Sequence, residues 1–249
     1  VHQIPEYKWK DIGTAIVNVI PLPKDDKVVS VIPVKDFNAH DQSLVFITKQ
    51  GQVKRTLLKE YETSRSIGII ACKLADGDEL VQVDLSTGDK ELVLITKRGM
   101  SIRFAELEVN AMGRATAGVR GIQLKEDDEV VSAVWVQGEE GEILVLSELG
   151  YAKRSFVFDY PLQGRGGKGV MTFEFKEGKR IRPNGTRLVG AMVIKEEASL
   201  LAITKNGERF VFSSEDTPIE DRKSAGRRLV QLAKEDEILH LVRMPKIAL

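Results

Sequence analysis

The chain has 249 residues, 42% hydrophobic and 30% charged, and its 37 basic and 37 acidic side chains cancel to a formal net charge of zero. That balance excludes a global field drawing the molecule to nucleic acid or membrane, so any electrostatic function must come from local segregation of charge. Cys72 is the only cysteine, which excludes a disulfide framework and a cysteine-rich zinc site and agrees with a reducing, cytoplasmic compartment, while no apolar run reaches membrane-spanning length and no secretory signal opens the sequence.

Taken in chain order, the first β-patterned stretch is GTAIVNVIPLPKDDKVVSVIPV, Gly13 to Val34. It matches the second half of a repeat whose complete copies follow, and the hairpin that should precede it is absent. Residues 1–42 are therefore expected to be a partial unit of a chain that starts inside a larger polypeptide. Complete units are expected over residues 43–90, 91–141, 142–197 and 198–249. Each opens with an apolar run, a short turn ending in glycine, and a second run: LVFITKQGQVKR from Leu44, LVLITKRGMSIR from Leu92, ILVLSELGYAKR from Ile143 and LLAITKNGERFV from Leu200. That pattern predicts a hairpin, with turn glycines Gly51, Gly99, Gly150 and Gly207. A second marker glycine follows 17, 19, 19 and 19 residues later, at Gly68, Gly118, Gly169 and Gly226, and opens another β-patterned stretch. An acidic turn and a closing apolar run complete each unit. About four strands per unit, repeated at this period, predict a propeller-like ring.

The first hairpins are basic: Lys49, Lys54 and Arg55; Lys97, Arg98 and Arg103; Lys153 and Arg154; Lys205 and Arg209. The second turns are acidic, with Asp76, Asp78 and Glu79, then Glu126 to Glu129, then Glu235 to Glu237. This predicts a dipolar unit, with cations along one part of the rim and acids elsewhere. The third complete unit departs from the rule. Lys176, Lys179, Arg180, Arg182 and Arg187 follow its hairpin, so Leu149 to Arg187 holds nine basic and three acidic residues.

Within that stretch lies QGRGGKG, Gln163 to Gly169. Gly164, Gly166 and Gly169 fit a dinucleotide fingerprint, but VMTFEF after them has strand periodicity where a helix is required. A phosphate-binding P-loop needs glycine six places before its lysine and Ser or Thr after it, whereas Lys168 has Leu162 and Gly169. The remaining reading is a loop for backbone phosphates, formed by Gln163, Arg165, Gly166, Gly167 and Lys168. Equivalent loops in the other units, TSRSIG, MGRATAG and EDRKSAG, keep a cation at Arg65, Arg114, and Arg222 with Lys223. His2, His40 and His240 are isolated from other metal-ligand types, Tyr151 and Tyr160 lack an attendant base, and Trp9 and Trp135 read as core.

These units resemble the C-terminal domain of the A subunits of bacterial type IIA topoisomerases, gyrase and topoisomerase IV. The resemblance rests on the ITK(R/Q/N)G hairpins, the loops YETSRSIGIIACKL, VNAMGRATAGVRGIQL and YPLQGRGGKGVMTFEF, and the GDELV turn, and it covers nearly the whole chain. It implies an all-β fold, a β-pinwheel of four-stranded blades that exchange strands, with about five blades here. Both a five-bladed disc and an incomplete six-bladed ring stay open. It further implies a non-catalytic, nucleoid-associated domain that binds double-stranded DNA on its rim and bends it. No cofactor is implied in this domain, with ATP and Mg elsewhere in the holoenzyme, and the partners implied are the rest of the A polypeptide and the ATPase-bearing B polypeptide. In gyrase the first-blade loop reads Q-R-R-G-G-K-G. Here the match has Gly164 for the first arginine and falls in the third complete unit, and KWKDIG, Lys8 to Gly13, resembles topoisomerase IV, which is the preferred member, with gyrase the alternative. A protein-interaction propeller using its flat face is the rival of another class.

Overall fold

The computed structural model describes residues 5–8, 10–20, 22, 26–39, 41–65, 68–178 and 182–245. Trp9, His2, His40, Lys179 and Arg180 lie outside the described residues. The described residues form β-strands and short 3-10 turns, with no α-helix. In chain order the strands are β1 (Ser43–Thr48), β2 (Gln52–Leu57), β3 (Leu80–Ser86), β4 (Glu91–Thr96), β5 (Met100–Ala105), β6 (Val119–Arg120), β7 (Val130–Val136), β8 (Glu142–Ser147), β9 (Tyr151–Phe156), β10 (Val170–Met171), β11 (Leu188–Ile194), β12 (Ser199–Thr204), β13 (Arg209–Ser213), β14 (Arg227–Arg228) and β15 (Ile238–Arg243).

They build four antiparallel sheets, in the orders β3-β1-β2-β6, β10-β5-β4-β7, β11-β8-β9-β14 and β13-β12-β15. Every predicted hairpin forms. Each also pairs with the closing strand of its own unit, so β3, β7, β11 and β15 are the innermost strands, packed in sequence one blade after the next. The outermost strand of each complete sheet is donated by the following unit: β6 pairs with β2, β10 with β5 and β14 with β9.

A blade with neighbours on both faces must be apolar on both faces, which is why the β4 sequence ELVLIT does not alternate with polar residues. Leu92 and Leu94 pack toward the first blade with Val45, Ile47 and Val53, whereas Val93 and Ile95 pack toward the third with Ile143, Val145 and Leu188. The core is thus a series of seams between blades.

The expectation of about five blades is corrected to four sheets. Described residues of the leading half unit form a 3-10 turn, Ile16–Asn18, and no strand. Its place in the ring is nevertheless marked. Ser30 Oγ donates to Val83 O at 3.2 Å, as Ser132 Oγ on β7 donates to Ala191 O on β11 at 3.1 Å. Ser30 in KVVSVIPV corresponds to Ser132 in EVVSAVWV, so it lies where the innermost strand of a preceding blade would run.

Candidate nucleic-acid interface

Three of the marker glycines, Gly118, Gly169 and Gly226, are the crossing points of strand exchange. A Cβ on Gly169 would lie 2.2 Å from Ser101 O on the neighbouring hairpin, and Gly118 and Gly226 stand in the same relation to Val53 O and Ala152 O, at 2.7 and 2.8 Å. Gly169 also has φ of +69°, which favours glycine. Beyond each crossing, the turn glycine of the accepting hairpin takes two amides on its carbonyl: Gly121 and Ile122 on Gly51, Thr172 and Phe173 on Gly99, Leu229 and Val230 on Gly150. The last glycine of QGRGGKG is therefore fixed by backbone clearance and not by a ligand.

The cations on β2, β5 and β9 turn inward. Arg55 Nε donates to Val109 O at 2.8 Å, Arg103 Nη1 to Tyr160 O at 3.0 Å, and Arg154 Nε to Thr217 O at 2.9 Å. Each acceptor ends a 3-10 turn of the next unit, so the same guanidinium position ties successive repeats together. Arg103 and Arg154 are buried and also paired with Glu91 and Glu142, at 2.5 and 2.7 Å. Lys54 and Lys153 are buried as well. Lys54 Nζ donates to Ala71 O and Arg114 O and lies 5.5 Å from the Phe46 ring centroid. Burial pushes its pKa down, and it pushes that of Lys153 down to about 8. Lys54, Arg103, Lys153 and Arg154 thus leave no ammonium or guanidinium free for a polyanion.

The expected separation of signs onto different borders is also corrected. Lys49 pairs with Glu79 at 2.9 Å, Lys97 with Glu129 at 3.4 Å and Lys205 with Glu237 at 3.8 Å, so basic first turns sit on acidic second turns of their own blade. The turn acids have a structural task. Asp78, Asp128 and Asp236 each accept two amides on Oδ1, one from the hairpin turn (Gln50, Arg98, Asn206) and one from the residue that follows. Arg98 lies 3.9 Å from Asp127. The third blade reverses the charges: Glu148 takes the lysine position and accepts from Thr186 N and Arg187 N, and Arg187 reaches Glu237 of the next blade at 2.8 Å.

Other cations stand in solvent. Arg65, Arg165, Lys168, Arg209 and Lys223 are exposed, and so are Lys176 and Arg182. The heptapeptide is laid across the seam between the first two blades: Gln163 N donates to Arg103 O, Gly166 N to Gly121 O at 2.6 Å, and Gln123 N to Gly167 O at 2.8 Å. Arg165 N and Nε donate to Glu108, and its Nη1 to Arg120 O at 3.2 Å. Three loop amides, those of Gln163, Arg165 and Gly166, are consequently spent on the fold. The equivalent loops are held by Arg114 Nη1 on Ile70 O and by Arg222 Nε on Asp159 O. Arg120, Arg227 and Arg228 were missed by sequence reasoning. They are exposed on β6 and β14, the outermost strands of the first and third blades. Their distance from a marker glycine is the signal, but it means rim only once strand exchange is known.

Inside the ring, Lys49, Lys97, Glu129, Arg187 and His240 line an opening of about 440 Å³ between innermost strands. Tyr160 is buried and receives a hydrogen bond from Thr172 Oγ1 at 2.9 Å, and Trp135 is partly buried with Nε1 donating to Glu106 at 3.2 Å. Among the described residues no group of three His, Cys, Asp or Glu is placed to hold a metal ion. No helix among them is long and apolar enough to cross a membrane.

Fold and rim together define a class: a pinwheel of strand-exchanged, four-stranded blades with exposed cations on its outer edge. A family model described as DNA gyrase C-terminal domain, beta-propeller, matches residues 1–35, 42–87, 90–134 and 141–195. The chain belongs to that family, the C-terminal domains of type IIA topoisomerase A subunits. It is 36% identical over 244 residues to the DNA gyrase A protein of Escherichia coli (strain K12), covering 98% of this chain and 27% of that protein. Over 248 residues it is 36% identical to the DNA gyrase A protein of Helicobacter pylori (strain ATCC 700392 / 26695), covering 99% of this chain and 29% of that one. The chain thus spans little more than a quarter of the length of these curated relatives. The crystal structure of the C-terminal domain of DNA topoisomerase IV matches at a TM-score of 0.88 and 28% identity, over 96% of this chain and 72% of that one. A DNA gyrase A C-terminal domain matches in fold at a TM-score of 0.80 and 23% identity, over 95% and 76%.

Proposed function

We propose that this chain is a non-catalytic disc that binds and bends double-stranded DNA within a bacterial type IIA topoisomerase, presenting a DNA segment for strand passage. The observation that carries the reading is the division of cations. Those near the hub are matched by Glu79, Glu129 and Glu237, whereas Arg120, Lys168, Lys223 and Arg228 remain exposed on outermost strands and seam loops. A row of such side chains meets a curved phosphate backbone and has no helix to insert into a groove, so phosphate contacts supply affinity with little base reading. Bending a few tens of base pairs costs on the order of 1 to 6 kcal/mol, which counterion release must offset.

A salt series of DNA affinity tests this. With about six phosphates neutralised, log K against log salt has a slope of roughly −5, and replacing Arg120, Lys168, Lys223 and Arg228 by alanine makes it shallower by about 3.6. An unchanged affinity and slope overturns the rim assignment.

Between the two enzymes, topoisomerase IV is supported by the position of QGRGGKG in the third complete unit and by Gly164 within it, and gyrase by the names of the curated relatives. The holoenzyme, reconstituted from its A and B polypeptides with ATP and Mg, separates them. Decatenation without introduction of negative supercoils fits topoisomerase IV, and ATP-driven negative supercoiling fits gyrase.

A further inference from the structure

The seam loops that carry the rim cations are supported from below in two different ways. In the heptapeptide the support is apolar: Ile102 on β5 lies beneath Gly167, whose Cβ position is 3.6 Å from Ile102 Cδ1. At the corresponding place on β9 stands Lys153, three residues after its turn glycine as Ile102 is after Gly99. Its side chain is fully buried, and Nζ donates to Asp221 O at 2.6 Å, Arg222 O at 2.5 Å and Ser155 Oγ at 3.2 Å. Asp221 and Arg222 begin the loop that carries Lys223 to the surface, and Ser224 O at its end accepts from Glu174 N of the preceding unit. Lys54 on β2 repeats the device beneath Arg114 of the second unit's loop.

We propose that Lys153 is a positioning residue for DNA binding: its buried ammonium caps two loop carbonyls and so fixes the height at which Lys223 is presented over the seam between the second and third blades. The DNA half of this inference rests on the function proposed above. A full hydrogen-bond set around a buried cation argues against its being a leftover surface charge, because burial without partners would cost several kcal/mol. The groups facing Nζ are Ser155 on its own strand, Asp159 from the 3-10 turn, and Glu220, Asp221 and Arg222 from the loop. Glu220 is itself occupied by Ser224 Oγ and Arg227 Nε, at 2.7 and 2.9 Å, so the ammonium's direct acceptors are carbonyls and a hydroxyl.

The test uses Lys153→Met in the 249-residue chain, a length-matched apolar replacement, with two readouts. Amide exchange of residues 222–226 is expected to speed up roughly tenfold, since removal of the donor strands two acceptors. DNA affinity is expected to fall about as far as in Lys223→Ala, with the double variant no weaker than either single one, because both remove the same contact. Additive losses, or unchanged loop exchange, overturn the proposal. Should the variant fail to fold, the unaltered chain decides. Closing the loop depresses the Lys153 pKa, so the open loop binds the proton more tightly and opening becomes rarer as pH rises from about 7 to about 9. A pH-independent opening frequency, after correction for intrinsic exchange, overturns the proposal as well. If the unaltered chain binds no DNA, the rim reading falls while loop exchange still decides whether Lys153 sets the loop.

Discussion

Arg103 Nη1 and the carbonyl of Tyr160 lie 3.0 Å apart across 57 residues of sequence, in the same relation that joins Arg55 to Val109 and Arg154 to Thr217. Because the arginine belongs to one repeat and the carbonyl to the next, this contact adds to the exchanged strand as a second fastening. Nη1 also donates to Val157 O, and Nη2 to Gly138 O. Replacing Arg103 by alanine is expected to destabilise the fold by about 3 kcal/mol, the range for removing one partner of a buried pair. At Arg55, half-buried on the first blade, the loss should be about 1 kcal/mol. Denaturant unfolding of the two variants checks the ranking.

The marker glycines divide into those that meet a neighbouring backbone and one that does not. Gly169→Ala drives a methyl into Ser101 O and should cost about 3 kcal/mol, with loss of the β10–β5 pairing. Gly68 has φ of +79° but nothing within 4 Å of its Cβ position, so Gly68→Ala should cost only about 1 kcal/mol of backbone strain. Equal effects would show that conformation, and not clearance, fixes these glycines.

Stability should pass through a maximum in alkaline solution. The Lys153 pKa is lowered by burial to about 8 from 10.5, so between those values the unfolded chain binds the extra proton and unfolding free energy rises with pH. Burial raises Tyr61 and Tyr160 from 10.0 to about 12, so above pH 10 the unfolded state loses protons first and stability falls. Unfolding curves from about pH 7 to about pH 11.5 are expected to show the rise and then the fall, and Lys153→Met is expected to flatten the rise.

The reversed pair in the third blade supplies a double-variant test. Glu148→Lys removes acceptors from Thr186 and Arg187 and places a cation near Arg187, so it should cost about 3 kcal/mol. Adding Arg187→Glu recreates the Lys49–Glu79 arrangement and should recover about 1 kcal/mol. Recovery stays partial because Arg187→Glu also breaks the pair with Glu237 and sets two carboxylates together, and because Thr186 stands where Asp78 brackets the turn amides of the first blade. Urea unfolding of the single and double variants measures both steps.

The sequence by itself determined the repeat, its hairpins and its two glycine positions, because those features are local: a period of two in the apolar residues, a turn that needs glycine, and a fixed spacing between them. What only the tertiary structure decided is which blade each strand joins and which way each cation faces. Val119 and Arg120 read as part of the second unit yet complete the first blade, and Lys153 and Lys168 look alike as basic residues of one unit although one is buried and the other exposed. Charge written along a chain has a sign but no direction. Direction comes from the seam: Arg103 and Arg154 on second hairpin strands meet the carbonyls of the next repeat, and Arg120 and Arg228 on donated strands meet solvent, so equal side chains acquire opposite tasks.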